Sequence, residues 1–167
     1  MNNSINIAVV GLGQIGIYLL NELNTKKKEI KVKTGKNINV TAISAKNINK
    51  KRKFKINKKI FFKNPLDIFK KKKIDILFEA VGLSDGISKK VVETALKNKI
   101  SVITPNKALI AKHGDYLSKL AEKNQVNLEF EASVAGGIPI LRTIKEGLAT
   151  NKIKKVYGIL NGTTNYI

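Results

Sequence analysis

The sequence predicts an α/β protein: a doubly wound parallel sheet followed by the start of a second, α+β unit. Three observations predict it. Short apolar runs alternate with amphipathic stretches along most of the 167 residues, the order that builds parallel strands joined by helices lying on both faces of one sheet. The first apolar run ends in Gly11, Gly13 and Gly16, a spacing suited to a tight strand-to-helix turn. A second glycine pair, Gly136 and Gly137, sits where the alternation breaks off. The chain accordingly divides into a main domain over 1–137 and the beginning of another over 138–167.

Taken in order, 5–10 is an apolar run that reads as a buried parallel strand. Over 14–23, Ile15, Leu19, Leu20 and Leu23 recur at helical spacing, which gives a helix with one buried face. The polar, lysine-rich stretch 24–39 reads as a solvated connection or a frayed helix end. Residues 40–45 form the second strand, and 46–59 is basic and poorly periodic. A short helix starts at 65–69, with Asn64 as its cap and Pro65 at its first position. The clearest later strand is 74–80, turning at Gly82. An amphipathic helix follows over 88–98 through Val91, Val92, Ala95 and Leu96, then a strand over 101–104 and a helix over 107–124. Residues 126–130 give another strand, 138–150 a helix, and 154–160 a strand that opens a new sheet.

Composition narrows the function. The 43% hydrophobic content with only 3 prolines supports a real core rather than a disordered tail. With no cysteine, the chain has no disulfide framework, thiolate metal site or thiol nucleophile. That argues against an acylating aldehyde dehydrogenase, whose chemistry needs a cysteine. No stretch approaches the ~18 apolar residues needed to span a bilayer. Met1, Asn2, Asn3 and Ser4 run directly into the first strand and leave no room for a secretory signal, so no membrane partner and a cytoplasmic location are expected. The net charge of +20 invites a nucleic-acid reading. Yet Arg52 and Arg142 are the only arginines among 32 basic residues, and arginine forks and stacking aromatics are what such surfaces use. Lys, Asn and Ile together make roughly 40% of the chain, a general bias that A/T-rich codons would produce. No specific nucleic-acid partner is expected, although the charge favours anionic ligands, phosphorylated cofactors included.

The first motif is a dinucleotide-binding turn of the Rossmann kind. Gly11 permits the tight turn, Gly13 lets the backbone approach a pyrophosphate, and Gly16 lets helix and strand pack closely. Gln14 and Ile15 open the helix whose N-terminus faces the anion. A turn that binds nothing is the plain alternative; the strand before it and the amphipathic helix after it favour the cofactor. The end of the second strand chooses between cofactors: a carboxylate there suits the NAD ribose and a cation the NADP phosphate. Ser44, Ala45, Lys46 and Asn47, followed by Lys50, Lys51 and Arg52, contain no carboxylate. This favours NADP, with NAD possible, in a protein where most loops are basic. Gly82 and Thr104 end later strands at the same sheet edge.

Thr104, Pro105, Asn106 and Lys107 follow a strand that ends at the ligand-binding edge. Taken alone, Lys107 is one lysine among many. From Glu131 to Pro139 a strand ends in a carboxylate, a Gly-Gly pair permits a sharp turn, and Pro139 suits the next helix's first turn. A carboxylate and freed carbonyls are oxygen donors suited to a hard cation; a hinge with Glu131 capping a helix is the alternative, and the two are compatible. Asn161, Gly162, Thr163, Thr164 and Asn165 gather amide, hydroxyl and backbone donors in one loop, or form an ordinary polar turn. His113, the only histidine, reads as a helix C-terminal residue before Gly114 rather than a base.

These motifs, in this order and over almost the whole chain, resemble the front part of homoserine dehydrogenases. The resemblance implies NAD(P)-dependent, reversible interconversion of L-homoserine and L-aspartate 4-semialdehyde, a step in threonine, methionine and isoleucine biosynthesis. It implies that the loop of Asn106 and Lys107 faces nicotinamide and substrate, with Lys107 the catalytic residue and a cofactor contact. It implies a monovalent, sodium-like site from the Glu131 side chain and the backbone of Val134, Gly136 and Ile138. Asn161, Gly162 and Thr163 would contact the small-molecule substrate. Members of the family continue for well over a hundred residues, building most dimer contacts and the remaining substrate groups. The expectation is therefore a fragment of a protein that is a homo-oligomer when full length, inactive by itself, or else a truncated, non-catalytic NADP-binding module.

Overall fold

Strand β1 (Ser4–Val10) alternates its side chains between two apolar layers. Ile7 and Val9 face one cluster, with Leu12, Leu20 and Ile43, while Ala8 and Val10 face the other, with Leu77, Val91, Val92, Leu96, Leu109 and Leu117. A strand buried on both faces reads as a continuous apolar run because each face needs its own layer of helices. The computed structural model describes residues 3–52 and 55–158. Helix α1 (Gln14–Thr25) lies over the first layer. Helices α4 (Ile87–Lys97) and α5 (Lys107–Asn124) supply the second and pack against each other.

The described residues form one six-stranded sheet, with β2 (Asn37–Ser44), β3 (Phe61–Phe62), β4 (Ile76–Glu79), β5 (Ser101–Ile103) and β6 (Leu128–Glu129) joining β1. Its order is β3-β2-β1-β4-β5-β6 and every pairing is parallel. The expected doubly wound α/β sheet is thus present. The strand order reverses direction between β1 and β4, and a crevice opens at the carboxyl ends of the strands flanking such a switch.

Several local expectations change. The stretch 24–39 holds a second helix, α2 (Lys27–Thr34), which stops at Gly35 in the left-handed region (φ 67°). It buries no residue, so its stability comes from that cap and from pairs such as Lys33 with Glu29 at 2.7 Å. Strand β2 starts three residues earlier than its apolar run, because pairing with β1 sets Asn37 opposite Ser4 and Asn39 opposite Asn6. The two-residue β3 lies outside every strand expected from the sequence. Asn64 and Pro65 start a 3-10 turn (Pro65–Asp67), with the Asn64 side chain accepting from Leu66 N, and a one-turn helix α3 (Ile68–Lys71) continues it.

After β6 the chain leaves the sheet. Helix α6 (Glu131–Val134) is one turn, and α7 (Ile140–Arg142) runs into a π-type turn (Thr143–Gly147), shorter than the helix expected over 138–150. Residues 154–158 are not a strand, since no described strand pairs with them and an extended segment without a ladder partner gains none of a sheet's hydrogen bonds. The rest of that expected strand lies outside the described residues.

Candidate functional site

The crevice is a cleft of about 1000 Å³ at the carboxyl ends of β1, β2 and β4. Val10, Gly11 and Gly13 form one side, Ser44 to Asn47 the second, and Ala80, Val81 and Leu83 the third. Backbone bonds join the three walls: Gly11 N donates to Ser44 O at 2.9 Å and Ala80 N to Val10 O at 2.7 Å.

The three glycines of the turn have different reasons to be glycine. At Gly11, φ is +99° and a Cβ would fall on the Ala80 carbonyl. At Gly16 a Cβ would collide with the Gly11 carbonyl, so the turn closes only with glycine there. Gly13 is the N-cap of α1 with ordinary angles (φ −78°, ψ −165°), and a Cβ on it would meet nothing within 4 Å. The chain's own atoms therefore require the first and third glycines and leave the second unexplained. The end of α1 beside Gly13 has no side-chain cap and no acidic residue in its first turn, leaving N–H donors and a positive helix end open to an anion.

Of the other expected cofactor residues, Ala45 and Lys46 line the cleft. Gln14 and Ile15 are exposed in the first turn of α1, and Gly82 turns the loop between Val81 and Leu83 at φ +88°. Lys46, Lys50, Arg52 and Lys63 line the cleft and, among the described residues, no carboxylate does. Arg52 is already engaged. Its Nε donates to Leu12 O at 3.1 Å, Nη1 to Ile48 O and Lys50 O at 3.2 and 2.9 Å, and Nη2 to Asn47 O at 2.6 Å. One of its five N–H groups remains, so Arg52 staples the basic loop to the glycine turn, and the lysines are the cations left to face a ligand.

Lys107 is exposed as the first residue of α5, and Asn106 caps that helix, its Oδ1 accepting from Leu109 N at 3.1 Å. Thr104 is buried, with its hydroxyl donated to Glu79 Oε2 at 2.6 Å. Glu79 was not singled out from the sequence. The available signal was a carboxylate closing an otherwise apolar strand. His113 stands inside α5, with Gly114 part of the helix rather than its end. Its Nε2 lies 2.9 Å from Asp85 Oδ1. Lys112 at 2.8 Å, then Ser84 and His113, hold the Asp85 carboxyl below the usual carboxylate range, tying the 83–86 loop to α5.

Glu131 does cap a helix: Oε1 accepts from Leu141 N and Oε2 from Arg142 N, each at 3.0 Å. The Ile138 carbonyl accepts from Ile140 N at 2.8 Å, and Val134, Gly136 and Ile138 are exposed. Each of these oxygens retains a lone pair beyond its hydrogen bond, and one carboxylate with backbone carbonyls is a donor set that fits a hard cation. No group of three or more His, Cys, Asp or Glu gathers among the described residues. Asn161, Gly162 and Thr163 lie outside the described residues. Among those described, no helix is long and apolar enough to cross a membrane.

Comparison with known proteins agrees with this geometry. Residues 11–131 match the family model "Homoserine dehydrogenase, NAD binding domain", and residues 139–167 match "Homoserine dehydrogenase". The chain is 38% identical to a homoserine dehydrogenase of Neisseria gonorrhoeae over 163 residues and 34% identical to one of Bacillus subtilis over 164. Both alignments take in 98% of this chain but only 37% and 38% of the relatives, so the chain spans little more than a third of their length. The crystal structure of a homoserine dehydrogenase from Thiobacillus denitrificans superposes with a TM-score of 0.81 at 33% identity, covering 98% of this chain and 37% of that one.

Proposed function

The chain belongs to the homoserine dehydrogenase family, and from that premise we propose that it carries the nucleotide-binding part of an enzyme interconverting L-homoserine and L-aspartate 4-semialdehyde. Gly13 is the observation that carries the reading. A glycine that the fold does not need, beside an open helix N-terminus, suits a ligand whose pyrophosphate approaches the backbone. The cofactor is NADP in preference to NAD, because Lys46, Lys50 and Lys63 line the cleft and no carboxylate is there to pair with a ribose 2′-hydroxyl.

Bound in the cleft, the nicotinamide would accept or supply the hydride. The chain's residues do the remaining work. The amides at Gly13 to Ile15 hold the pyrophosphate, Gly11 and Ala45 keep the walls close, Gly82 turns the loop after β4 toward the cofactor, and Thr104 and Asn106 fix the turn that presents Lys107. The Lys107 Nζ takes or returns the hydroxyl proton of the substrate as hydride leaves or arrives. Asn161, Gly162 and Thr163 orient the substrate. The oxygens of Glu131, Val134, Gly136 and Ile138 would hold a sodium-like cation that braces the link between a nucleotide domain over 1–137 and the substrate domain beginning at 138. The full-length protein is a cytoplasmic homo-oligomer acting on a small molecule, without a specific nucleic-acid partner.

Calorimetric titration with NADPH and NADH, using a DNA duplex as control at moderate salt, tests the reading. Saturable NADPH binding, weaker for NADH and absent for DNA, is expected. A folded sample that binds no nucleotide would overturn it. The role of Lys107 is tested by Lys107→Met in the full-length enzyme: turnover should fall strongly while NADPH binding survives, and unchanged turnover would exclude it.

A further inference from the structure

Glu79 is fully buried at the end of the central strand β4, and no lysine, arginine or histidine pairs with it among the described residues. Instead it collects donors from four places in the chain. Val81 N and the Ser88 hydroxyl donate to Oε1 at 2.8 Å each, and the Thr104 hydroxyl donates to Oε2 at 2.6 Å. Asn106 Nδ2 stands 3.5 Å from both oxygens while donating to Leu83 O at 2.8 Å. A buried carboxylate without a cation is an expensive way to fill a core, and an apolar side chain of similar size would serve stability as well or better. A fully satisfied polar network, by contrast, fixes the mutual geometry of the elements it joins.

The elements joined here are specific. Val81 and Leu83 belong to the cleft wall. Thr104 and Asn106 belong to the turn after β5, and Asn106 caps the helix of which Lys107 is the first residue. Thr104 Oγ1 also accepts from Asn106 N at 3.1 Å, so the turn closes on the same carboxylate. We propose that Glu79 is a positioning residue for the dehydrogenase reaction, setting the turn that presents Lys107 at a fixed place relative to the cofactor cleft. The inference rests on the functional reading above.

The substitution Glu79→Gln keeps the shape but puts an amide N–H₂ in place of one acceptor oxygen. Where it meets Thr104, a buried hydroxyl proton loses its acceptor; where it meets Val81 and Ser88, an N–H and a hydroxyl do. In the full-length enzyme, kcat should fall about tenfold or more while the NADPH Kd and the homoserine KM stay within about twofold. The primary deuterium isotope effect with deuterated cofactor should rise as chemistry becomes more rate-limiting. Amide hydrogen exchange should quicken at 81–83 and 104–109 and stay unchanged in β1. A kcat equal to wild type, or a loss confined to NADPH affinity, would overturn the proposal. If Glu79→Gln does not fold, Ser88→Ala, which removes one donor and leaves the carboxylate, carries the test. It should lower kcat about threefold at constant KM, and an unchanged kcat would sink the idea. A wild-type enzyme that binds no NADPH or does not oxidise homoserine would instead refute the underlying functional reading.

Discussion

Two glycine-bearing turns stand beyond strands of the same sheet, one directly after β1 and one after the short helix that follows β6, and they are held in different ways. At Gly11 and Gly16 the turn is clamped by backbone, with a Cβ at either position running into a carbonyl. At Gly136 and Gly137 there is room: the nearest atom to a Cβ on Gly136 is the Ala132 carbonyl at 3.8 Å, and a Cβ on Gly137 would meet nothing within 4 Å. Gly137 has a φ of +84°, the turn around it closes on a backbone bond from Ile138 N to Ala135 O at 2.9 Å, and beyond it the Glu131 carboxylate grips Leu141 N and Arg142 N. The first turn is held by close backbone packing, the second by one backbone bond and the carboxylate that ties it to α7. A turn of the second kind can be reset by changing what that side chain binds.

Gly11→Ala should produce the largest effect. It adds a clash with the Ala80 backbone to a left-handed φ, and a loss of about 3 kcal/mol or more is expected. Thermal unfolding should show a sharp drop, with NADPH binding abolished. A variant of near-native stability would show that the clamp gives way more easily than its contacts suggest.

Gly13→Ala separates ligand from fold inside the same turn. With open space around the Cβ and an extended backbone, the melting temperature should stay within a degree or two. NADPH should bind about ten- to hundredfold more weakly, equivalent to about 1.4–2.7 kcal/mol. Undiminished affinity at native stability would remove the observation on which the nucleotide reading stands.

Glu131→Ala probes the other turn. Two N–H groups at the start of α7 lose their acceptor, for about 1.5 kcal/mol. The loss should be local: hydrogen exchange at Leu141 and Arg142 rises, while the glycine turn and its NADPH affinity do not respond. A loss of nucleotide binding would mean that the two turns are coupled. If the oxygens here also hold sodium, replacing sodium by choline should reproduce part of the exchange increase in the wild type and none in the variant.

What the sequence revealed follows from the same contrast. Features that arise from burial or from neighbours a few residues apart were readable. Helix α5 was placed over 107–124, where Asn106 caps it, and the cap at Asn64 and the glycine turn were recognised from local pattern. Helix α2 escaped because it buries nothing, and periodicity reports burial alone. Strand β3 exists only through its pairing with β2. Glu79 escaped because most of its partners lie 9 to 27 residues away and no local signal gathers them. Arg52 counted only as one cation of the basic run that favours NADP, yet it closes on Leu12, forty residues earlier.

The smallest expected effect isolates conformation from contact. Gly137→Ala places a Cβ in empty space, so the only penalty is that of a non-glycine residue at φ +84°, about 1 kcal/mol. Combined with Glu131→Ala, its cost should shrink, because a turn released from its carboxylate relaxes away from the left-handed region. A double-mutant cycle read by urea unfolding measures this: a coupling of about 0.5 kcal/mol or more is expected, since both changes act on one short turn. Strict additivity would mean that Gly137 holds its conformation without Glu131. In that case the second turn, like the first, is set by its own backbone, and the difference between the two becomes one of degree.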